Sequence, residues 1–92
     1  MKYIDWDERK NTILKKERGV SFEQVIMAIN EGGLITILEH KNKKKYPNQK
    51  IFVVNIDNYV YLVPFVEDEE KVSLKTIVPS RKATKKYIIK LL

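Results

Sequence analysis

The sequence predicts an α+β fold in which two N-terminal helices, a four-stranded antiparallel sheet and a C-terminal helix follow one another. Apolar residues have helical spacing in the first third of the chain and strand-like alternation in the middle. A proline and a helix-capping serine then end the last strand-like run. Because 92 residues bury one modest core, we expect a single domain over residues 1–92.

Capping residues delimit the first predicted helix. Asp5 is a candidate N-cap, with Glu8 at the capping-box position, for a helix over about residues 6–17. Gly19 supplies the C-terminal stop. The predicted apolar side of this helix contains Trp6, Ile13 and Leu14.

The second predicted helix begins after Ser21, which has Gln24 at its capping-box position. Val20 and Val25 are spaced as a hydrophobic staple, and Gly32 and Gly33 end the helix. One buried stripe with the i, i+3, i+4, i+7 pattern is formed by Phe22, Val25, Ile26 and Ile29.

Four strands are predicted over residues 34–38, 51–56, 59–66 and 72–78. A turn at residues 57–58 joins the second strand to the third, and an acidic turn at residues 67–70 joins the third to the fourth. In the third strand, Tyr59 and Tyr61 share a face with Val63 and Phe65, which favours core positions over base stacking. In the fourth strand, alternation places one set of side chains together: Val72, Leu74, Thr76 and Val78.

Composition and charge narrow the possible functions. The chain has no cysteine, which excludes disulfides, thiolate zinc sites and a cysteine nucleophile. It has no apolar run of membrane length and no secretory apolar segment, so we expect a cytoplasmic protein without a membrane partner. The net charge is +6, and residues 71–92 contain no acid. This charge and the lysine-rich residues 41–50 favour a polyanionic partner, although lysine runs often only solvate a surface.

The junction between the last strand and the last helix combines a cap with several cations. Ser80 is the expected N-cap, and the following turns contain Arg81, Lys82, Lys85 and Lys86. Cations at a helix N-terminus oppose the helix dipole, so helix stability does not explain them. Unpaired N–H groups and basic side chains together suit a phosphate.

Several motifs resemble those of BrnT-type toxins of bacterial type II toxin–antitoxin systems, which belong to the RelE-like group of small ribonucleases. The matching residues occur in the same order along nearly the whole chain: Asp5-Trp6-Asp7, Asn11, Lys15, Gly19-Val20-Ser21-Phe22-Glu23 and Ser80-Arg81-Lys82-Ala83-Thr84. The resemblance implies a RelE-like fold of the type predicted above. It also implies RNA cleavage that inhibits translation, without a metal or other cofactor.

The resemblance implies partners as well. The first is a cognate antitoxin, a ribbon-helix-helix or similar DNA-binding protein, through which alone the complex would contact operator DNA. The second is RNA, with ribosome-associated mRNA as one candidate. An acidic segment of the antitoxin would readily cover a basic, RNA-binding surface, and a small sheet also offers edge strands to such a partner.

RNA cleavage of this kind needs a phosphate clamp and groups that move protons, because the 2′-hydroxyl attacks phosphorus and the 5′-oxygen leaves. Arg81 is the first candidate for the clamp and Lys82 the second. Arg81 could instead pair with the acidic turn 67–70. His40, the one histidine, is the candidate for proton transfer, or else an exposed loop residue. The candidate RNA contacts are Lys15, Arg18, Lys43, Lys44, Lys45, Lys50 and Lys85.

One departure from the family pattern supports a second function. The family usually has Lys-His-Gly before its Val-Ser-Phe, whereas this chain has Glu17-Arg18-Gly19. An arginine cannot exchange protons near neutral pH as a histidine does. The alternative is therefore a catalytically weak or inactive RNA-binding or co-repressor module that acts with a DNA-binding antitoxin. The retained residues 80–84 favour the ribonuclease.

Overall fold

The computed structural model describes residues 2–89. Within this range the chain forms three helices and six strands. In chain order they are β1 (Tyr3–Trp6), α1 (Glu8–Arg18), α2 (Phe22–Asn30), β2 (Leu34–Glu39), β3 (Gln49–Ile56), β4 (Tyr59–Glu67), β5 (Lys71–Leu74), β6 (Val78–Pro79) and α3 (Arg81–Tyr87).

The strands form one mixed sheet with the order β1-β5-β4-β3-β2, and β6 pairs with β4. All neighbours are antiparallel except β1 and β5, which are parallel. The fold is α+β, but the prediction of two N-terminal helices followed by a four-stranded antiparallel sheet is wrong. The RelE-like arrangement that the resemblance implied is corrected with it, because β1 precedes the two helices and the sheet has six strands.

Because residues 3–6 form β1, α1 begins at Glu8 and not at about residue 6 as predicted. Asp5 lies on β1, and its carboxylate accepts a 3.1 Å hydrogen bond from the Lys71 ammonium group. Asp7 is the N-cap instead, since its side chain accepts from the Arg9 N–H at 2.9 Å and from the Lys10 N–H at 3.5 Å. The sequence contained two possible caps two residues apart, and the pairing of β1 with β5 determines which one is used.

The caps predicted at Gly19 and Ser21 are confirmed, whereas α2 ends at Asn30 with Glu31 as its C-cap, just before the predicted Gly32. Gly19 ends α1 with a left-handed φ of 65°. Ser21 and Gln24 form a reciprocal capping box at the start of α2. The apolar side of α1 was predicted only in part, because Leu14 is buried but Ile13 is 49% exposed. Asn11 is fully buried in the position that an apolar residue would be expected to take.

The main core lies between α1, α2 and one face of the sheet. Phe22 and Val25 pack from α2 onto sheet residues, and Trp6 stacks on Phe22 with ring centroids 5.7 Å apart. Tyr61 packs against the same core, as the alternation of β4 predicted. The buried members are Leu14, Val20, Phe22, Val25, Val54, Val63, Phe65, Leu74 and Ile77.

The predicted fourth strand is interrupted at residues 75–77. Leu74 pairs with Phe65, whereas Val78 pairs with Leu62, so four residues on this strand oppose three on β4. This extra residue has the effect of a β-bulge, which changes the face to which later side chains point. As a result, Ile77 is buried with Leu74 and Val78 is 39% exposed, contrary to the predicted alternation.

The turn between β3 and β4 is confirmed at residues 57–58. Asp57 and Asn58 both have positive φ values, 53° and 64°, as a two-residue hairpin turn requires. The third helix contacts the beginning of β4, where the Val60 N–H donates to the Thr84 hydroxyl and the Val60 carbonyl accepts from the Ser80 N–H. No helix in the described part of the chain is long and apolar enough to cross a membrane.

Candidate nucleic-acid interface

The outward surface of α3 contains four cations. Thr84 is buried and Ala83 and Tyr87 are half-buried, which fixes the inward side of the helix. The Val60 N–H donates to the Thr84 hydroxyl at 2.9 Å, and this hydroxyl donates to the Ser80 carbonyl at 2.7 Å. The remaining side chains point to solvent and form what we call the α3 basic face: Arg81, Lys82, Lys85 and Lys86.

The α3 basic face is unfavourable for the helix in two respects, the spacing of its cations and the two cations in the first turn. Arg81 and Lys85 have i, i+4 spacing, and so do Lys82 and Lys86. Like-charged pairs with this spacing destabilise a helix. Arg81 and Lys82 lie in the first turn, which contains no acid to offset the helix dipole, whereas Lys85 and Lys86 lie in the last turn, where cations are favourable. Across residues 2–89, none of the four cations forms a salt bridge with a carboxylate. A surface of this kind is suited to an anionic ligand that is not part of the chain.

The acidic turn at residues 67–70 does not neutralise Arg81. Glu67 is held at 2.9 Å by the Lys2 ammonium group, which lowers the pKa of this carboxyl. Asp68 accepts from the backbone N–H groups of Lys71 and Glu70, both at 2.8 Å, and these bonds lower its pKa. The turn follows the far end of β4, whereas α3 contacts the beginning of this strand.

Arg18 joins the end of α1 to the segment that leads into α3. One of its terminal nitrogens donates a 2.5 Å hydrogen bond to the carbonyl of Ile77, three residues before the N-cap Ser80. This bond uses one of the five N–H donors of the guanidinium group. The Ile77 side chain is buried in the main core, which also contains Leu14 of α1. Arg18 therefore lies beside the approach to the α3 basic face.

Lys15 is near Arg18 in sequence but already has an ionic partner. Its ammonium group lies 3.7 Å from the Glu23 carboxylate, and both side chains are more than half exposed. The pKa of Glu23 is lowered, first by the hydrogen bond from the Asn11 amide and to a smaller extent by Lys15. Lys15 thus contributes less uncompensated charge to this region than Arg18 does.

The backbone at the start of α3 offers less to a phosphate than the sequence indicated. The Ser80 hydroxyl accepts from the Ala83 N–H at 3.0 Å, and the Ser80 carbonyl accepts from the Thr84 N–H at 3.0 Å. With only seven residues, α3 also has a small dipole. Phosphate binding therefore depends on the basic side chains.

The structure separates His40 from the α3 basic face. His40 pairs with Gln49 beyond the end of β2, next to the position where Lys50 opposes Phe65. The start of α3 follows Pro79, which opposes Tyr61. Gln49 opposes Val66, which is about 17 Å from Tyr61 along β4, and β2 lies about 14 Å across the sheet from β6, which gives a separation of roughly 20 Å.

His40 belongs instead to the loop between β2 and β3. Its Nδ1 accepts from the Asn42 N–H at 3.1 Å, and its ring lies 4.5 Å from the Tyr46 ring. Lys43 forms a 2.5 Å salt bridge with Glu39, which lowers the pKa of Glu39, and Lys45 lies over the Tyr46 ring. The predicted RNA contacts Lys43, Lys44, Lys45 and Lys50 therefore form a second basic region, distinct from the α3 basic face.

Two cations that the sequence did not single out line a cleft of about 420 Å³ beside α1. Lys10 and Lys75 lie in its wall with Trp6. Asp5 is neutralised by Lys71, whose pKa it raises, and Asp7 is engaged as the cap of α1. Lys75 lies two residues before Ile77, whose carbonyl accepts the hydrogen bond from Arg18.

The described residues show no arrangement of three or more His, Cys, Asp or Glu side chains that would hold a metal ion. Comparison of the chain with models of protein families, with curated proteins and with solved structures finds no match. The resemblance to BrnT-type toxins therefore remains a prediction from sequence motifs.

Proposed function

We propose that the protein is the toxin component of a type II toxin–antitoxin system and acts as a metal-independent endoribonuclease that inhibits translation. The observation that supports this proposal most is the α3 basic face, whose four cations have no salt-bridge partner within residues 2–89. The motif at residues 80–84, which resembles that of the BrnT-type toxins, forms the beginning of this surface.

In this proposal the affinity for RNA comes mainly from contacts to its phosphates and depends little on the RNA sequence. Lysine and arginine contacts to phosphates supply affinity that is independent of sequence and weakens with salt. Arg81 can hold two phosphate oxygens at once through its planar fork, and Arg18 lies beside the same segment. Residues 75–81 span at most about 20 Å, so a strand of RNA could follow this edge from the cleft at Lys75 to Arg81.

Cleavage would begin with attack of a 2′-hydroxyl on the adjacent phosphorus and end with departure of the 5′-oxygen. In this proposal Arg81 stabilises the negative charge that develops on the phosphorane, the proton of the 2′-hydroxyl passes to water, and the ammonium group of Lys82 protonates the leaving oxygen. A general base must lie within hydrogen-bond reach of the proton it takes, and His40 is roughly 20 Å away by strand register. His40 therefore has no place in this constellation without a rearrangement of the β2–β3 loop.

This distance favours a second candidate function. A protein with a phosphate clamp but no nearby base would bind RNA and cleave it slowly or not at all. Such a protein would act as an RNA-binding or co-repressor module with its DNA-binding antitoxin. In both proposals the antitoxin is a ribbon-helix-helix or similar protein, and an acidic segment of it covers the α3 basic face.

Inducible expression in a bacterium tests the toxin proposal. We expect wild-type protein to arrest growth and Arg81→Ala to lose most of this effect. Arg9→Ala is the matched control, because Arg9 is an exposed arginine of α1 that forms no salt bridge within the described residues. Folded wild-type protein that leaves growth unchanged would contradict the toxin proposal.

A purified-protein assay separates the two candidates. Single-stranded RNA is incubated with the protein in excess chelator, and binding and cleavage are followed in parallel. Cleavage that Arg81→Ala abolishes supports the ribonuclease, whereas Arg81-dependent binding without cleavage supports the non-catalytic module. Failure to bind RNA would contradict both.

A further inference from the structure

The strand β2 forms one edge of the sheet and exposes aliphatic side chains. Ile35, Ile37 and Leu38 are 37%, 48% and 40% exposed. Sheet edges are commonly protected by charged side chains or proline, because an open edge pairs with other strands. The residues of β2 before Glu39 contain neither, and the register shift at Ile35 affects only its beginning.

The regular part of β2 has backbone groups available for another strand. The His40 N–H donates to the Gln49 carbonyl, so residue 40 directs its backbone groups toward β3. Hydrogen bonding alternates along an antiparallel pair, and therefore Ile37 and Glu39 direct their N–H and C=O groups outward. The outward ladder and the exposed side chains lie on the same short segment.

Charges at the two ends of β2 are opposite in sign. Glu31 precedes the strand, and Asp57 is close to it because the Gly33 carbonyl accepts from the Asn55 N–H at 2.8 Å. The other end leads into the lysine-rich loop that begins at Lys41. Antiparallel pairing of two copies brings the acidic end of one beside the basic end of the other. Parallel pairing would instead place the two acidic ends together and the two basic ends together. The charges therefore favour the antiparallel arrangement.

We propose that two copies of this chain associate through β2 in antiparallel orientation and form a continuous sheet across a two-fold axis. Residues that oppose each other across the two copies must point to the same face of the sheet, so one residue must oppose its own equivalent at the two-fold axis. Ile37 suits this position because its backbone N–H and C=O groups point outward. The two Ile37 residues then exchange hydrogen bonds, and Thr36 of each copy opposes Leu38 of the other. In this register Lys41 of one copy lies opposite Gly33 of the second, two residues from Glu31.

The association is expected to be weak. Stable protein interfaces bury about 1,200–2,000 Å² in total, and one short strand with its flanking charges provides less. We therefore expect a dissociation constant in the micromolar range or above. This proposal is independent of the RNA-binding proposal, because β3 and β4 separate β2 from β6, the strand that leads into α3.

Sedimentation equilibrium of the full 92-residue chain tests the proposal between about 10 μM and about 1 mM. We expect a concentration-dependent mass that approaches twice 10.9 kDa. We expect Ile37→Lys to raise the dissociation constant by about tenfold or more, because it places one cation from each copy at the two-fold axis. The matched control is Ile4→Lys on the opposite edge strand, where Ile4 is 44% exposed, and it should leave association unchanged.

Charge exchange tests the orientation without altering the aliphatic residues. Glu31→Lys and Lys41→Glu should each weaken association, and the double variant should restore it toward the wild-type value. A monomer at every concentration would overturn the proposal and leave the edge to a strand of another protein. Equal effects of Ile4→Lys and Ile37→Lys, or no recovery in the double variant, would also overturn it.

Discussion

Replacement of Asn11 with alanine tests how α1 and α2 are held together. The Asn11 side-chain carbonyl accepts a 2.8 Å hydrogen bond from the Phe22 N–H at the start of α2. Its amide donates to the Glu23 carboxylate at 2.7 Å. Asn11 and Phe22 are both fully buried, so water does not replace the lost acceptor in the variant. The main consequence of Asn11→Ala is a buried N–H group without a partner.

The expected loss of stability follows from this unpaired group. A buried donor left without a partner costs about 1–3 kcal/mol. The higher helix propensity of alanine offsets at most about 0.7 kcal/mol of this loss of stability. The Glu23 carboxylate also loses a hydrogen bond, but it is exposed, so water largely replaces that bond. The net loss is therefore about 1–2 kcal/mol, which is a large share of the roughly 5–15 kcal/mol that holds a domain folded. For a domain of this size it corresponds to a decrease in Tm of about 5–15 °C.

Urea denaturation followed by circular dichroism measures this difference. Asn30→Ala is the matched control, because Asn30 is an exposed asparagine at the end of α2 and should change the free energy of unfolding by less than about 0.5 kcal/mol. An Asn11→Ala protein as stable as the wild type would show that the buried hydrogen bond does not hold the two helices. The description of Asn11 as a structural residue would then have to be abandoned.

Three further predictions concern local contacts. Gly33→Ala should reduce the free energy of unfolding by about 1–3 kcal/mol in urea denaturation, because its Cβ would meet two backbone oxygens at 2.7 and 2.8 Å; an unchanged value would contradict this close approach. Thr84→Val should cost about 1–3 kcal/mol by removing the acceptor of the buried Val60 N–H, and a neutral effect would show that this bond does not anchor α3. The Asn11 amide lowers the pKa of Glu23 below its ordinary value of 4.5, so the carboxylate stabilises the fold fully above about pH 4.5 and loses this effect as the pH falls through the lowered pKa. Glu23→Gln should therefore make unfolding less dependent on pH in acid, and an identical pH dependence would contradict the assignment.

The sequence predicted those features that depend on neighbouring residues. The capping box at Ser21 and Gln24, the glycine stop at Gly19 and the turn at residues 57–58 all arise from local chemistry. They were therefore visible without knowledge of the sheet.

The features that the sequence did not reveal depend on distant contacts. Residues 3–6 form a strand because residues 71–74 are available beside them, and no local pattern shows this parallel pairing. The interruption at residues 75–77 has no glycine to mark it, although it moves Ile77 into the core. Burial of Asn11 likewise depends on the position of the second helix.

The candidate site also has some features that were evident from the sequence and others that depend on the fold. The four cations of α3 were evident from the sequence, and the helix dipole does not explain the two in the first turn, Arg81 and Lys82. Their proximity to Arg18 depends on the bond to the Ile77 carbonyl, and the contribution of Lys75 depends on the bulge. The separation of His40 from Arg81 required the register of the sheet.

The salt dependence of RNA binding tests the central claim, that the α3 basic face holds RNA phosphates. Fluorescence anisotropy of a labelled single-stranded RNA gives the binding constant of the wild type, of Arg81→Ala/Lys85→Ala, and of the control Arg9→Ala/Lys16→Ala, which removes the same charge from the outward side of α1. Each phosphate contact contributes about −0.7 to the slope of log K against log salt for a single strand. We predict that the α3 variant makes this slope about 1.4 less negative while the control leaves it unchanged. Equal slopes for the three proteins would contradict the claim.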